Sequence, residues 1–191
     1  MKIKAEFVKP VFDFNQLPKT GFSEIVFSGK SNVGKSSVIN ELVNQKKLAK
    51  TSSTPGRTQS INYFLINNKF YFVDLPGYGF AKVPVAIKKK WDSLLDKFLN
   101  SGENIKLIVQ LIDSRNIPGE NDIIMIEWLK KLNKNFIIVL TKCDKIGKTV
   151  RNKQLKLFSK LFELSSEKFI MFSIKEKIGT KELWKEINKV I

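Results

Sequence analysis

The sequence predicts an α/β fold, a mostly parallel six-stranded sheet with one antiparallel strand and helices on both faces. Three observations predict it. Short β-branched apolar runs alternate with segments whose apolar residues recur at helical spacing, the pattern of a parallel sheet covered on both faces. Two of the runs, Ile61 to Ile66 and Phe70 to Asp74, are joined by the tight turn Asn67-Asn68-Lys69 and read as a hairpin, which supplies the antiparallel strand. Between a strand and a helix stands Gly29-Lys30-Ser31-Asn32-Val33-Gly34-Lys35-Ser36, the phosphate-cradling P-loop pattern.

Taken in order, residues 1–22 contain Pro10, Pro18 and Gly21 with little periodicity and read as a lead-in packed on the domain, with a short strand near Phe7-Val8. The domain proper is expected over 23–191. Glu24 to Ser28 is the first strand and Lys35 to about Asn44 the first helix. Gln45 to Ser60, polar and broken by Pro55-Gly56, is too long for a plain connection and reads as a functional loop. After the hairpin, Leu75 to Val83 is again loop-like. Pro84 starts a helix running to about Asn100, with Val85, Trp91, Leu94, Leu95 and Phe98 on its apolar stripe. Ile105 to Ile112 and Phe136 to Leu140 are buried strands by length and β-branching. Glu120 to Lys131 and Asn152 to Leu164 are helices between the later strands. Phe169 to Phe172 is the last strand and Thr180 to Val190 the last helix.

Composition narrows the chemistry. Lysine and arginine number 34 against 18 acidic residues, a net charge of +16, which favours a polyanionic partner such as nucleic acid over mere solubility. There is no histidine, so triads and metal sites built on imidazole are excluded. The lone cysteine, Cys143, cannot form an internal disulfide or a zinc cluster and suits a reducing cytosol. No apolar run is long enough to span a bilayer and the first residues lack the apolar core of a signal peptide. A cytoplasmic protein with no membrane partner is expected.

Ligands of parallel sheets bind at the carboxyl ends of the strands, so the loops there should carry the chemistry. In the P-loop, successive backbone N–H groups and the positive end of the next helix hold a polyphosphate. Lys35 reaches the β- and γ-phosphates, and the Ser36 hydroxyl can ligate Mg²⁺. Asp74-Leu75-Pro76-Gly77 ends a strand. Alone it is an ordinary turn, but after a P-loop its carboxylate can hold Mg²⁺ through water, and Gly77 offers an unhindered N–H to a γ-phosphate. Thr141-Lys142-Cys143-Asp144 ends another strand. An aspartate there accepts from the N1–H and exocyclic amine of guanine, a pair that adenine lacks, while the stem of Lys142 lies over the base. Cys143 reads as a packed small residue.

These motifs in this order resemble a GTPase domain of the P-loop class over residues from about 22 to 191. Gly29 to Ser37, then Thr54-Pro55-Gly56-Arg57-Thr58-Gln59, then Asp74-Leu75-Pro76-Gly77-Tyr78-Gly79-Phe80-Ala81-Lys82-Val83 look like the EngB/YsxC (YihA) family of bacterial ribosome-biogenesis GTP-binding proteins, within the TrmE-Era-EngA-EngB-like GTPases. The resemblance implies that Thr58 is the first-switch threonine meeting Mg²⁺ and the γ-phosphate, Thr54 being a second candidate. It implies catalysis by Lys35, Thr58 and Gly77. It implies a nucleotide site of Gly29 to Ser37, Pro55 to Thr58, Asp74 to Gly77, Thr141, Lys142, Asp144, Phe172, Ser173 and Ile174. Tyr78 stands where many regulatory GTPases have a water-orienting glutamine. Relatives without one often use a potassium ion held by a P-loop asparagine, and Asn32 matches it. Two departures stand out. Thr141 replaces the usual asparagine and loses an amide that braces the P-loop, and Ile174 puts bulk where a small residue is common.

Beyond the pocket, Lys88-Lys89-Lys90, then Lys145, Lys148, Arg151, Lys153, Lys156 and Lys160, then Lys175, Lys177, Lys181, Lys185 and Lys189 together make an RNA-facing surface credible. Trp91, Trp128 and Trp184 fall on apolar helix faces and read as core. The expected protein is a monomeric, slowly hydrolysing GTP switch with Mg²⁺ that binds ribosomal particles or rRNA in large-subunit assembly. Its rival is an RNA-binding assembly factor with a structural nucleotide.

Overall fold

β1 (Ala5–Val11), β2 (Ser23–Gly29), α1 (Lys35–Leu42), β3 (Ile61–Ile66), β4 (Phe70–Asp74), α2 (Val85–Ser101), β5 (Ile105–Asp113), α3 (Glu120–Lys131), β6 (Phe136–Thr141), α4 (Lys148–Leu161), β7 (Phe169–Met171) and α5 (Thr180–Asn188) follow one another along the chain. The computed structural model describes residues 3–49, 60–78 and 85–191, and of 85–92 the backbone alone. The strands form one sheet in the order β1-β3-β4-β2-β5-β6-β7. β2 pairs parallel with β4 and β5, and β5–β6 and β6–β7 are also parallel. β3 runs antiparallel to both β1 and β4, so it is the one reversed strand.

The short strand expected near Phe7-Val8 is present as β1 but runs from Ala5 to Val11 and joins the sheet at its edge, so the sheet has seven strands rather than the six expected. Its full length is hidden in the sequence for two reasons. The register slips between Phe7, opposite Phe64, and Lys9, opposite Tyr63, so Val8 is a bulge that breaks the alternation. Pro10 reads as a strand breaker but is tolerated on an edge, where no further strand needs its N–H. The start of α4 also differs. It begins at Lys148, after Gly147 in extended conformation, four residues before the expected Asn152.

Two apolar layers cover the sheet. Val26, Val73, Ile108 and Ile138 share one layer with Phe98 and Leu99 of α2, Ile126 and Leu129 of α3 and Phe158 of α4. Phe27, Phe72, Val109 and Val139 share the other with Val38, Ile39 and Leu42 of α1 and Leu183 and Ile187 of α5. The near-continuous apolar strands follow from burial on both faces. Trp184 packs against Phe72 and donates its indole N–H to the Leu42 carbonyl at 3.0 Å, joining α5 to α1. No helix among the described residues is long and apolar enough to cross a membrane.

One carboxylate sits inside this frame. Glu24 on β2 is 6% exposed and accepts a hydrogen bond from the Tyr63 hydroxyl at 3.2 Å. Burial pushes its carboxyl up to about 7, and the Tyr63 bond offsets only part of that. Between the ordinary value of 4.5 and about 7 the unfolded chain releases this proton while the folded chain keeps it. This group's contribution therefore falls as pH rises through that window and is flat above it. Glu24→Gln should remove the fall and leave the variant more stable than the parent at pH 8 by about 1–3 kcal/mol, read from urea midpoints. A gap between the two proteins that stays constant from pH 5 to pH 8 would sink this account.

Candidate nucleotide site

The carboxyl ends of β2, β4, β5 and β6 lie side by side, and the expected motifs leave the sheet there. After Gly29 the chain turns through Lys30 to Gly34 before α1 begins. Asn32 and Gly34 supply the reversal with φ of 64° and 109°. Gly34 is the N-cap of α1, and a side chain there would meet left-handed strain of about 1–2 kcal/mol. Lys35 opens the helix, and its ammonium pairs with the carboxylate of Asp74 at the end of β4. Their side chains are 11% and 7% exposed. Ser36 and Ser37 follow on the first turn, half-buried. Serine hydroxyl and aspartate carboxylate are hard-oxygen donors, which suit Mg²⁺ and not a soft metal. No group of three or more Asp, Glu, Cys or His among the described residues could hold a metal alone, so phosphate and water oxygens would complete the shell.

The turn after β4 is locked to the P-loop. Ser31 N–H donates to the Tyr78 carbonyl at 3.1 Å and Tyr78 N–H donates to the Gly29 carbonyl at 3.3 Å. Gly77 is required by this approach, since a Cβ there would stand 3.0 Å from both N and Cα of Ser31. The Tyr78 hydroxyl donates to Asp122 Oδ1 at 2.7 Å and accepts from Gln110 Nε2 at 2.6 Å. Asp122, on the first turn of α3, also accepts from Gly119 N–H at 3.0 Å through its other oxygen. Burial first, then the Asp122 carboxylate, push the Tyr78 phenol well above its ordinary value, so it stays a donor.

The turn after β6 carries the base motif. The Thr141 hydroxyl donates to the Val33 carbonyl at 2.8 Å. A brace between β6 and the P-loop is therefore kept, where loss of an asparagine amide had suggested none. Lys142 adopts φ 60°, and its ammonium donates to the Asn32 carbonyl and to Asp113 Oδ2, both at 2.9 Å. Asp144 Oδ1 accepts from the Ser173 hydroxyl at 2.9 Å, and Ser173 Oγ in turn accepts from Glu176 N–H at 3.0 Å. Ile174 lies in the turn closed by the Ser173–Ile178 bridge and is 42% exposed, so its bulk is not packed inward. Cys143 is buried, and its N–H bonds the Phe172 carbonyl at 3.2 Å.

Val33, Leu75, Pro76 and Phe172 are buried, with Val33, Leu75 and Phe172 in the apolar core, so their side chains are not free to meet a ligand. Lys30 and Asn32 are exposed. Thr54, Pro55, Gly56, Arg57 and Thr58 lie outside the described residues, as do Gly79 to Pro84. Asp113 and Arg115 were not singled out from sequence. The Arg115 guanidinium grips the Asp113 carboxylate at 2.9 and 2.8 Å. Burial pushes Asp113 up, but the bonds from Arg115 and Lys142 outweigh it and hold its carboxyl at about 2. The signal available was position: Asp113 also ends a parallel strand.

A doubly covered parallel sheet with these turns at one edge defines a P-loop GTPase, and residues 24–142 match the family described as 50S ribosome-binding GTPase. The chain belongs to the EngB family of GTP-binding proteins. It is 48% identical over 184 residues to the probable GTP-binding protein EngB of Thermoanaerobacter pseudethanolicus, covering 96% of each chain. To that of Caldanaerobacter subterraneus it is 46% identical over 192 residues, covering 100% of this chain and 99% of the relative. Among solved structures it is similar to a probable GTP-binding protein engB, with TM-score 0.72, 26% identity and coverage of 88% and 98%. It is also similar to Era in complex with MgGDPNP and nucleotides 1506-1542 of 16S ribosomal RNA, with TM-score 0.65, 28% identity and coverage of 88% and 56%. As a GTPase, it converts GTP to GDP and phosphate.

Because the Tyr78 hydroxyl serves a buried carboxylate, Tyr78→Phe should lower stability by about 1–2 kcal/mol and leave GTP turnover within twofold of the parent. Denaturant melts and phosphate release check this. Unchanged stability with a clear fall in turnover would mean that the hydroxyl acts on the reaction instead.

Proposed function

We propose that this chain is a slow, Mg²⁺-dependent GTP switch that docks on ribosomal particles, those of the large subunit, through the exposed face of α4. In this reading Lys35 holds the β- and γ-phosphates and Ser36 ligates Mg²⁺, with Asp74 acting through water. Thr58 and Gly77 N–H close on the γ-phosphate. Asp144, oriented by Ser173, reads the guanine edge, with Lys142 over the base. Mg²⁺, when bound, neutralises charge on the phosphate oxygens; the rest of catalysis is positioning. Hydrolysis by the free protein is slow because no side chain at position 78 orients water.

The ribosomal half rests on one observation. From Lys145 to Phe162 the chain has no carboxylate, and Lys148, Lys153, Lys156 and Lys160 all stand exposed on α4. Among the described residues none of these four is paired with an acid, whereas Arg151 is held by Glu176 at 2.7 Å. A row of free ammonium groups neutralises phosphates without reading sequence. The similarity to Era, whose structure contains ribosomal RNA, supports the same class of partner.

Co-sedimentation with ribosomal subunits and their precursors, with GDP, GTP or a non-hydrolysable analogue, should show binding that weakens steeply with salt. Replacing Lys153, Lys156 and Lys160 by glutamine should flatten that slope by about two to three. Binding insensitive to salt would remove the α4 surface from the account. For Asn32, whose exposed side chain sits at the P-loop bend, the proposal is a potassium ion beside the phosphates. Turnover should be faster in potassium than in sodium, and Asn32→Ala should erase the difference; equal rates in the two salts would discard the ion.

A further inference from the structure

We propose that Asp113 is a positioning residue for guanine-nucleotide binding, a fixed anion on β5 that lays Lys142 across the base end of the site and ties it to the P-loop. The inference rests on the proposed guanine site and adds to it a residue that none of the three motifs contains.

The geometry is a relay. Asp113 ends β5 in register with Thr141 on β6, so its side chain stands beside the next residue of the base motif. Ser114 N–H donates to the Thr141 carbonyl at 3.0 Å and fastens the two strand ends. Arg115 approaches the carboxylate with Nε on Oδ1 and a terminal nitrogen on Oδ2, and its own N–H bonds Oδ1 at 3.1 Å. That grip fixes the plane of the carboxylate. Oδ2 is then aimed at the Lys142 ammonium, which also donates to the Asn32 carbonyl.

Lysine is a poor choice for a preset surface. Its four-carbon stem has many rotamers, and freezing one on binding costs affinity. Two acceptors on different elements remove that freedom beforehand. The Asn32 carbonyl is neutral, whereas Asp113 is a charged acceptor, and charge-assisted bonds are about twice as strong as neutral ones. The Lys142 side chain is 32% exposed and that of Asp113 17%, so solvent weakens this pair but does not cancel it. The backbone of Lys142 is left-handed, a conformation unfavourable for lysine, and it is this bend that turns the chain from β6 toward Asp144.

A plain structural role for Asp113 is separable by experiment. Asp113→Asn keeps an oxygen for the Arg115 N–H, and so the turn, but removes the charge facing Lys142. Affinities of the full chain for fluorescent GDP and for a fluorescent non-hydrolysable GTP analogue would be measured for the parent, Asp113→Asn, Lys142→Met and the double variant. Melting without nucleotide serves as the folding control. The expected result is a loss on the order of five- to tenfold for Asp113→Asn, equal for the two nucleotides because both carry the same base. The double variant should bind no more weakly than Lys142→Met alone. Asp113→Glu, with the charge kept at longer reach, should fall between parent and Asn variant. Losses that add in the double variant, or no loss for Asp113→Asn while Lys142→Met binds weakly, would overturn the proposal. Glu and Asn variants of equal affinity would do the same. If Lys142→Met binds as well as the parent, it is the guanine reading of Lys142 that fails, and the role of Asp113 with it.

Discussion

Parallel pairing of β2 with β4 on one side and β5 on the other is the constraint from which the site follows. It sets Phe27 beside Asp74 and Gly29 beside Leu111, and the β5–β6 register sets Asp113 beside Thr141. The P-loop, the Asp74 turn and the Thr141 turn therefore leave the sheet at one level, although they are far apart in sequence. Side chains alternate along a strand, so a slip of one residue would turn Asp74 from the site into the opposite apolar layer. Burial on both faces forbids that slip, because Val73 and Phe72 fill different layers.

Within that frame the Lys35–Asp74 pair carries opposite charges out of water, and each is tolerable mainly because of the other. Removing one partner of a buried pair costs about 3–5 kcal/mol through the charge left behind. Substitution at either position therefore disturbs stability as well as ligand binding, and neither is a clean probe of chemistry. A polyphosphate with Mg²⁺ offers both groups a substitute partner, which makes the pair interchangeable with the ligand proposed for the site.

Much of this was legible because parallel sheets place their chemistry predictably. The hairpin limits, Ile61 to Ile66 and Phe70 to Asp74, and the α3 limits, Glu120 to Lys131, read directly from β-branching and helical spacing. β1 was legible only as a short strand near Phe7-Val8, since a bulge at Val8 and an edge proline both weaken the period-two signal over its full length. Thr141 was legible as a departure but not in its consequence. A hydroxyl is shorter than an amide, and only the fold brings the Val33 carbonyl within its reach. Asp113 and Arg115 were hidden for another reason: a strand-end Asp-Ser-Arg has no period and no motif, and its meaning comes from the neighbouring strand.

Tyr78 links the two ends of this arrangement, because its hydroxyl bonds a carboxylate that also caps α3. The residue is thereby held at three points: its two backbone bonds to Gly29 and Ser31, and its hydroxyl between Gln110 and Asp122. Displacing it would leave Asp122 buried without its phenol partner, at a cost of about 1–3 kcal/mol. The turn after β4 is thus fixed to both the P-loop and α3. A shift at Gly77 would therefore be felt, through Tyr78 and Asp122, at the first turn of α3. Tyr78 is thus a structural tether that ties the turn after β4 to the P-loop and to α3 at a single residue.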